Sequence, residues 1–304
     1  MVKVFWQSFV SFIGVIFLGL SLVAAEPIRV VTTTSHVADL VKNVGGEYVE
    51  VKGFMGPGVD PHLYKASPRD LIALKRADLV FYSGLHLEGR LAQTFEKMTD
   101  RGEKVYAVTD AAPRENLLQP EEFEGHYDPH LWFDPSLWAT TVDVVVEALS
   151  EFDPSHAAEY AENGAVYRGE VEDLTAWTLS RIAEIPEARR YLVTSHDAYN
   201  YFGRAFGIQV IGVQGISTAT EAGLADVSMT VEFIKKKKIP AIFVESSVSP
   251  AMIRRISQDS GAVVGGELFS DALGDRGDIH NGADVGTYLG MFKYNVDTIV
   301  DALK

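Results

Sequence analysis

The sequence predicts an α/β protein of two lobes, each with a mostly parallel sheet flanked by helices, joined by one long rigid bridging helix. Short apolar, β-branched segments alternate with segments of helical periodicity, which is typical of parallel sheets covered by helices. The alternation occurs twice, and one long helical pattern separates the two halves. The predicted organisation is a signal peptide over residues 1–25, an N-terminal lobe over 26–152, a bridging helix over 153–185 and a C-terminal lobe over 186–304.

The N-terminal segment has the pattern of a secretory signal peptide. Lys3 provides a basic start, residues 9–23 are apolar apart from Ser and Gly, and Val23-Ala24-Ala25 predicts cleavage after Ala25. An uncleaved membrane anchor is the alternative, but the apolar run is shorter than the roughly 20 residues that a spanning helix needs.

Cysteine content and net charge restrict the compartment and the partners. The chain has no cysteine, which excludes disulfides and thiolate metal ligands. A lipid-anchored exported protein needs a cysteine at its cleavage site, so a free protein of the periplasm is predicted. The formal net charge of −15 argues against nucleic acid, because a phosphate backbone requires clustered cations. The same charge attracts cations diffusely.

In the first half, a histidine lies in the loop that ends the second strand. Residues 28–34 are predicted as a buried strand, and Ser35 is predicted to cap the helix that follows. A strand over residues 48–55 ends in a loop that contains His62, and Ser67 and Pro68 begin the next helix. The other elements predicted in this half are strands over 79–82 and 104–108 and helices over 88–98 and 136–151.

The longest predicted element is a helix over residues 153–184. A set of residues recurs at steps of three and four until Pro186 ends the pattern: Tyr160, Gly164, Tyr167, Val171, Leu174, Thr178 and Ile182. At about 1.5 Å per residue it is longer than one small lobe needs, so it is predicted to connect two lobes. A break near Gly164 and Gly169 is the alternative. The second half is predicted as strands over 191–194, 209–213, 241–244 and 262–264, helices over 198–206, 226–238 and 250–260, and a last helix ending at residue 303.

Four candidate metal ligands fall in loops that follow strands: His62, His130, His196 and Asp271. In parallel sheets ligands bind at the carboxyl ends of the strands, so the four are expected to converge, two from each lobe. Three imidazoles and a carboxylate suit Zn(II) or Mn(II).

Each of the first two histidines follows an Asp-Pro pair. Asp60 and Asp128 could orient the imidazoles from behind or serve as turn residues, and we favour the turn role.

Taken together, six segments resemble the metal-binding receptors of bacterial ABC importers, the zinc/manganese solute-binding proteins. The segments are DPHLY (60–64), ADLVFYSGLHLE (77–88), DPHLWFDP (128–135), SHDAY (195–199), VESS (244–247) and FSDALG (269–274). The resemblance runs from about residue 28 to the C-terminus. It implies two lobes bridged by one helix, a metal ion between them, and His62, His130, His196 and Asp271 as its ligands. It also implies delivery to an ABC permease subunit in the inner membrane, and we expect a monomer.

The resemblance leaves the metal open. The third ligand is Glu in family members selective for manganese or iron, whereas here it is His196. Zinc-specific members often carry a long His-rich loop before the second ligand, but residues 114–127 are short and contain only His126. Imidazole-rich sites bind Zn(II) more tightly than Mn(II). Zn(II) is therefore favoured as the transported ion, with Mn(II), or iron, as the alternative.

Two further residues and two rival functions complete the expectations. His126 is a candidate auxiliary ligand, and Glu245 is expected to cap a helix rather than bind metal. A secreted zinc hydrolase would need an open coordination position and a motif such as His-Glu-x-x-His, which the sequence lacks. A surface adhesin is a second rival, although a periplasmic location disfavours it. We therefore expect a receptor and no enzyme.

Overall fold

The computed structural model describes residues 26–304 except residue 124. The predicted signal peptide and its cleavage site lie outside the described residues. Within the described part of the chain, no helix is both long and apolar enough to cross a membrane.

A four-stranded parallel sheet forms the N-terminal lobe. Its order is β2-β1-β3-β4, so β1 is central, and Val30 of β1 pairs with Val51 on one side and Leu79 on the other. The strands are β1 (Ile28–Thr32), β2 (Val49–Gly53), β3 (Leu79–Tyr82) and β4 (Val105–Ala107), and the helices are α1 (Ser35–Gly45), α2 (Pro68–Arg76), α3 (Ala92–Asp100), α4 (Pro135–Trp138) and α5 (Thr141–Phe152).

The starts of α1 and α2 show which capping predictions were right. Ser67 caps α2 as predicted, since its hydroxyl accepts from the backbone N–H of Asp70 at 3.3 Å. The prediction for Ser35 was wrong, because the Thr34 hydroxyl accepts the capping bond in α1. Ser35 is the first residue of that helix, and its hydroxyl instead accepts from the backbone N–H of Leu273 in the other lobe, at 2.8 Å.

One unbroken helix, α6 (Ala157–Ile182), connects the two halves. It continues through Gly164 and Gly169, so the alternative of a broken helix was wrong. It packs against α1 and α5 on one side and against the C-terminal helix on the other. Its buried residues recur at steps of three and four: Tyr160, Gly164, Tyr167, Val171, Leu174, Thr178 and Ile182.

Parallel strand pairs also form the C-terminal lobe. Strand β5 (Tyr191–His196) pairs with β6 (Gln209–Gln214), and β7 (Ala241–Glu245) pairs with β8 (Val263–Leu268). Strands β5 and β7 lie side by side between these partners. The helices are α7 (Asn200–Phe206), α8 (Leu224–Lys237), α9 (Ala251–Ser260) and α10 (Tyr288–Leu303).

The segment between β8 and α10 contains two further short strands. It contains a short antiparallel hairpin of β9 (Ile279–His280) and β10 (Ala283–Asp284). A continuous apolar core extends from β1 and α1 through α5 and α6 to α10. The α/β architecture with two lobes and a bridging helix therefore agrees with the fold predicted from sequence.

Candidate metal centre

The structure brings the four predicted ligands into one cluster. His62 lies between β2 and α2, His130 precedes α4, His196 ends β5 and Asp271 follows β8. Each offers one ligand atom, and these four atoms all lie within 4.8 Å of one another. Two ligands thus come from each lobe, at the carboxyl ends of the strands where a parallel sheet is expected to bind.

Each histidine turns one ring nitrogen toward the cluster. The ring centroids are 5.4 Å apart for His62 and His130, 5.9 Å for His62 and His196, and 5.3 Å for His130 and His196. The Nε2 atoms of all three rings and Oδ1 of Asp271 are buried without a hydrogen-bond partner among the described residues. Burying polar atoms without partners is unfavourable, and a cation bound among these four atoms would satisfy them.

The back of the His130 ring is held by Asp128. Oδ1 of this buried carboxylate accepts from Nδ1 of His130 at 2.7 Å and from the His130 backbone N–H at 3.0 Å. Asp128 therefore both closes the turn and orients the imidazole, so the preference for a turn role alone was wrong. Its backbone carbonyl also accepts from the Tyr201 hydroxyl, at 2.9 Å.

Glu245, on a neighbouring strand, orients the His196 ring as Asp128 orients the His130 ring. It ends β7, and Oε2 lies 2.5 Å from Nδ1 of His196 while Oε1 accepts the His196 backbone N–H at 3.0 Å. The prediction that Glu245 caps a helix was wrong, because α9 starts only at Ala251. Carboxylates behind metal-binding histidines fix the ring tautomer and orientation.

The loop of His62 is held differently. Oδ1 of Asp60 accepts the His62 backbone N–H at 2.8 Å, which is the predicted turn role. The other oxygen, Oδ2, accepts from the hydroxyl of Thr218, in the loop after β6, at 2.5 Å. This bond joins the first ligand loop to the opposite lobe.

Asp271 faces two of the imidazoles at once. Its oxygens lie 3.5 Å from Nε2 of His130 and 3.4 Å from Nε2 of His196. The hydroxyl of Ser247 donates to its Oδ2 at 3.2 Å. The indole N–H of Trp132 donates to the carbonyl of Ser270 at 2.9 Å, so the ring next to His130 also fixes the loop of Asp271.

The pKa values of these groups reflect burial and mutual charge. Burial, together with the neighbouring imidazoles, lowers the pKa of His62 to about 3, so this ring is neutral. Burial would also lower the pKa values of His130 and His196, but the charges of the adjacent carboxylates outweigh it and raise both. Burial would raise the pKa of Asp271, but the facing imidazoles hold it well below its usual range. Asp271 is therefore an anion ready for a cation.

Two other histidines, His36 and His126, do not belong to the cluster of four. His36 is fully buried and stacks on Trp132 with ring centroids 4.7 Å apart. His126, the candidate auxiliary ligand, lies outside the four-residue cluster and contacts His86 instead, with ring centroids 4.2 Å apart.

Residues 30–302 match the family described as ZnuA, zinc-uptake complex component A, periplasmic. The chain belongs to this family. The ZnuA family match spans both lobes and the bridging helix, and it confirms the resemblance that the sequence motifs indicated.

Individual ZnuA relatives are similar over nearly their whole length. The manganese-binding lipoprotein MntA of Bacillus subtilis strain 168 is 42% identical over 286 residues, which are 92% of this chain and 91% of MntA. The zinc-binding protein TroA of Treponema pallidum strain Nichols is 45% identical over 280 residues, which are 90% of this chain and 88% of TroA. The solved structure of TroA from Treponema pallidum superposes with a TM-score of 0.85 at 42% identity, covering 91% of this chain and 99% of that one.

Sequence reasoning identified the residues that converge and offered Asp128 as a possible orienting residue, but it missed the contact of Glu245 with His196. Glu245 ends a strand beside β5, and only the strand arrangement shows that it reaches His196. Asp128 was recognisable, because an acidic residue two positions before a histidine can accept from both the ring and the backbone. The contact of Trp132, which donates to the carbonyl of Ser270, was also not predicted.

Proposed function

We propose that this protein is a periplasmic receptor that captures one divalent transition-metal ion between its lobes and delivers it to an ABC importer. The observation that carries the proposal is the cluster of four buried ligand atoms within 4.8 Å of one another. Among the residues that the structure describes, none makes a hydrogen bond to the Nε2 atom of any of the three imidazoles. Membership of the ZnuA family supports the transport role.

The ligands are His62, His130, His196 and Asp271 in this proposal. Each imidazole binds through Nε2, because Nδ1 of His130 and of His196 is already bonded to a carboxylate. Three neutral nitrogens and one carboxylate leave a net charge of +1 on a bound divalent ion, which the adjacent anions Asp128 and Glu245 offset. Four protein ligands fill a tetrahedral zinc shell and leave no position for a reactive water, so the protein has no catalytic role.

Zn(II) is the favoured ion and Mn(II) the alternative, with iron behind both. The relatives do not decide between the two metals, since MntA is named manganese-binding and TroA is named zinc-binding. The third imidazole, His196, favours Zn(II), because affinity for nitrogen ligands rises from Mn(II) toward the later metals. The four-ligand set also matches the low coordination number of Zn(II).

Capture by this centre joins the two lobes, because each contributes two ligands. The partner that receives the ion is the permease subunit of the importer in the inner membrane. The receptor acts there as a monomer after its signal peptide is cleaved following Ala25. The stiff helix α6 limits the lobe movement that accompanies release.

Metal content and competition test the proposal. Protein isolated from its native periplasm without added metal is expected to contain one equivalent of zinc by elemental analysis. In competition titrations the wild type is expected to prefer Zn(II) to Mn(II). His130→Ala is expected to weaken Zn(II) binding at least tenfold, whereas the control His280→Ala, an exposed histidine beside Asp278, is expected to leave it unchanged. Equal Zn(II) affinity in wild type and His130→Ala would exclude His130 as a ligand.

A further inference from the structure

A second pair of histidines, His86 and His126, lies outside the metal centre. His86 is in the loop between β3 and α3, His126 is in the segment between β4 and α4, and both side chains are exposed. Their ring centroids are 4.2 Å apart and their planes are inclined at 61°. Ring planes in the inner centre are inclined at 56° to 85° and the centroids are 5.3 to 5.9 Å apart. The planes of the outer rings are thus inclined at a similar angle, at a shorter spacing, and both rings are exposed.

The backbone holds His86 in an unusual conformation. Leu85 and His86 both have positive φ, 52° and 66°, although neither is glycine. Such conformations are unfavourable for residues other than glycine and persist only where the surroundings hold them. The same turn is tied to the buried carboxylate of Glu88, which accepts from the backbone N–H groups of Ser83 at 2.6 Å and Gly84 at 3.2 Å. The backbone of the loop that carries the His86 side chain is therefore held in place.

The two rings share an acidic cavity. His86 and His126 line a space of about 400 Å³, together with the carboxylates of Glu96 and Asp110. Burial and the charges of these acidic groups raise the pKa of Tyr82, which also lines the cavity, to about 12. Arg114 is the one cationic side chain among the described residues that line the cavity, so with the two carboxylates the lining keeps a net negative charge, which attracts cations toward the two imidazoles.

We infer that His86 and His126 form a second, weaker binding site for a late divalent transition metal such as Zn(II). Two imidazoles select Zn(II), Ni(II) or Cu(II) over Mn(II), which prefers oxygen ligands. Arg114 pairs with Asp110 at 3.3 Å and partly neutralises that carboxylate. Within the described residues, only the inner centre brings three or more such ligand atoms within 4.8 Å, so the outer site has two protein ligands and completes its shell with water.

The outer pair also lies next to a second cavity. His126 lines a space of about 670 Å³ whose wall includes Asp197, the residue after the inner ligand His196. An ion held by the outer pair is therefore adjacent to the C-terminal lobe as well as to the loop of His86. The inference concerns a separate site and does not depend on the function proposed for the inner centre.

Binding stoichiometry tests the outer site. In calorimetric titrations at physiological salt, the wild type is expected to bind two equivalents of Zn(II), one tight and one weak, but only one of Mn(II). His126→Ala is expected to lose the weak Zn(II) equivalent and keep the tight one. His280→Ala, which removes an exposed imidazole elsewhere, is expected to keep both. His130→Ala is expected to keep the weak equivalent while the tight one weakens at least tenfold, so failure of one site is distinguishable from failure of the other.

Two results would overturn the inference. One is a single Zn(II) equivalent in the wild type, and the other is a weak equivalent that survives in both His86→Ala and His126→Ala. Unchanged circular dichroism and unchanged tight binding in these variants establish that they are folded. His126→Gln, which keeps a polar side chain on the exposed loop, provides a second variant and is expected to lose the weak equivalent as well.

Discussion

His130 and His196 each have a carboxylate on the ring nitrogen that faces away from the centre. Nδ1 of His130 is 2.7 Å from Asp128, and Nδ1 of His196 is 2.5 Å from Glu245. A proton fixed between Nδ1 and a carboxylate leaves Nε2 bare, aimed inward and more basic. The two buried anions thus determine what the imidazoles can bind, without occupying a ligand position themselves.

Replacing Glu245 tests this positioning role. Glu245→Gln keeps the size and one acceptor oxygen but removes the charge, so the His196 ring becomes less basic and less firmly oriented. We expect Zn(II) affinity to fall by about 10- to 100-fold, as for other groups that orient metal-binding histidines. The matched control is Glu232→Gln, which neutralises an exposed carboxylate of α8. Competition with a chelator measures both affinities, and a Glu245→Gln value equal to that of the control would contradict the role.

Protons are expected to compete with the metal ion at the same nitrogens. The pKa values of His130 and His196 are raised in the protein without an ion, so as pH falls their Nε2 atoms are protonated before an ordinary histidine would be. His62 stays neutral because its pKa is about 3, and Asp271 stays ionised because its pKa is well below its usual range.

Affinity for Zn(II) is therefore expected to fall as pH falls through the raised pKa values. Each proton that the ion must displace contributes about a tenfold loss per pH unit. Calorimetric titrations in buffers with different ionisation enthalpies count the protons released, and we expect at least one at pH 6. Identical affinities at pH 5.5 and pH 7.5 would show that these imidazoles do not exchange protons for metal.

At the scale of elements, α6 depends on a close approach to α5. A Cβ added at Gly164 would lie 2.5 Å from Cγ2 of Val146 and 3.2 Å from Cγ1 of Val142, both stiff β-branched side chains. At Gly169, on the same helix, a Cβ would meet nothing within 4 Å. The two glycines thus have different roles, although the sequence gives both as possible helix breaks.

Alanine substitutions separate these roles. Gly169→Ala is expected to stabilise the protein by about 0.5–1 kcal/mol, because alanine is the better helix former. Gly164→Ala has the same propensity gain but overpacks α5, which costs about 1–3 kcal/mol, so a net loss is expected. Thermal unfolding should therefore give opposite shifts for the two variants. Equal shifts in melting temperature would mean that α5 moves to make room for the added methyl group at residue 164.

The sequence predicted the elements well where the apolar pattern alone decides them. Strand β3 is a short continuous apolar run, and helix α6 follows from apolar positions at steps of three and four. The helix expected over residues 136–151 is instead two helices, because the hydroxyls of Thr140 and Thr141 bond back to the carbonyls of Leu137 and Trp138. Such local competition between side chain and backbone is not visible in an apolar pattern.

The four ligand residues could be predicted from the sequence, whereas the carboxylate that orients His196 could not. His62 and Asp271 follow strands, His196 is the last residue of β5, and His130 lies in the connection after β4, so all four reach the edge to which a parallel sheet directs its ligand-binding loops. Glu245 reaches His196 only because β7 lies beside β5, and strand order is not encoded in the spacing of single residues. The sequence therefore predicted which residues converge, whereas the orienting carboxylate depended on tertiary structure.

At the scale of the whole molecule, several hydrogen bonds join the lobes around the centre, and three of them illustrate the pattern. Asp60 accepts from Thr218 at 2.5 Å, and Trp132 donates to the carbonyl of Ser270 at 2.9 Å. The third contact is the bond from the Leu273 backbone N–H to the Ser35 hydroxyl. Each involves a ligand loop or its immediate neighbour, so the same segments carry the ligands and hold the lobes together.

A bound ion is therefore expected to stabilise the assembly of both lobes. Binding to the folded state alone adds roughly 2.7 kcal/mol when the free ion is at 100 times its dissociation constant. Saturating Zn(II) should raise the melting temperature by several degrees, with a smaller shift in His130→Ala, whereas Mg(II), which retains its water ligands, should give none. Differential scanning calorimetry measures the shifts. An unshifted transition under both Zn(II) and Mn(II) would be incompatible with a centre that takes two ligands from each lobe.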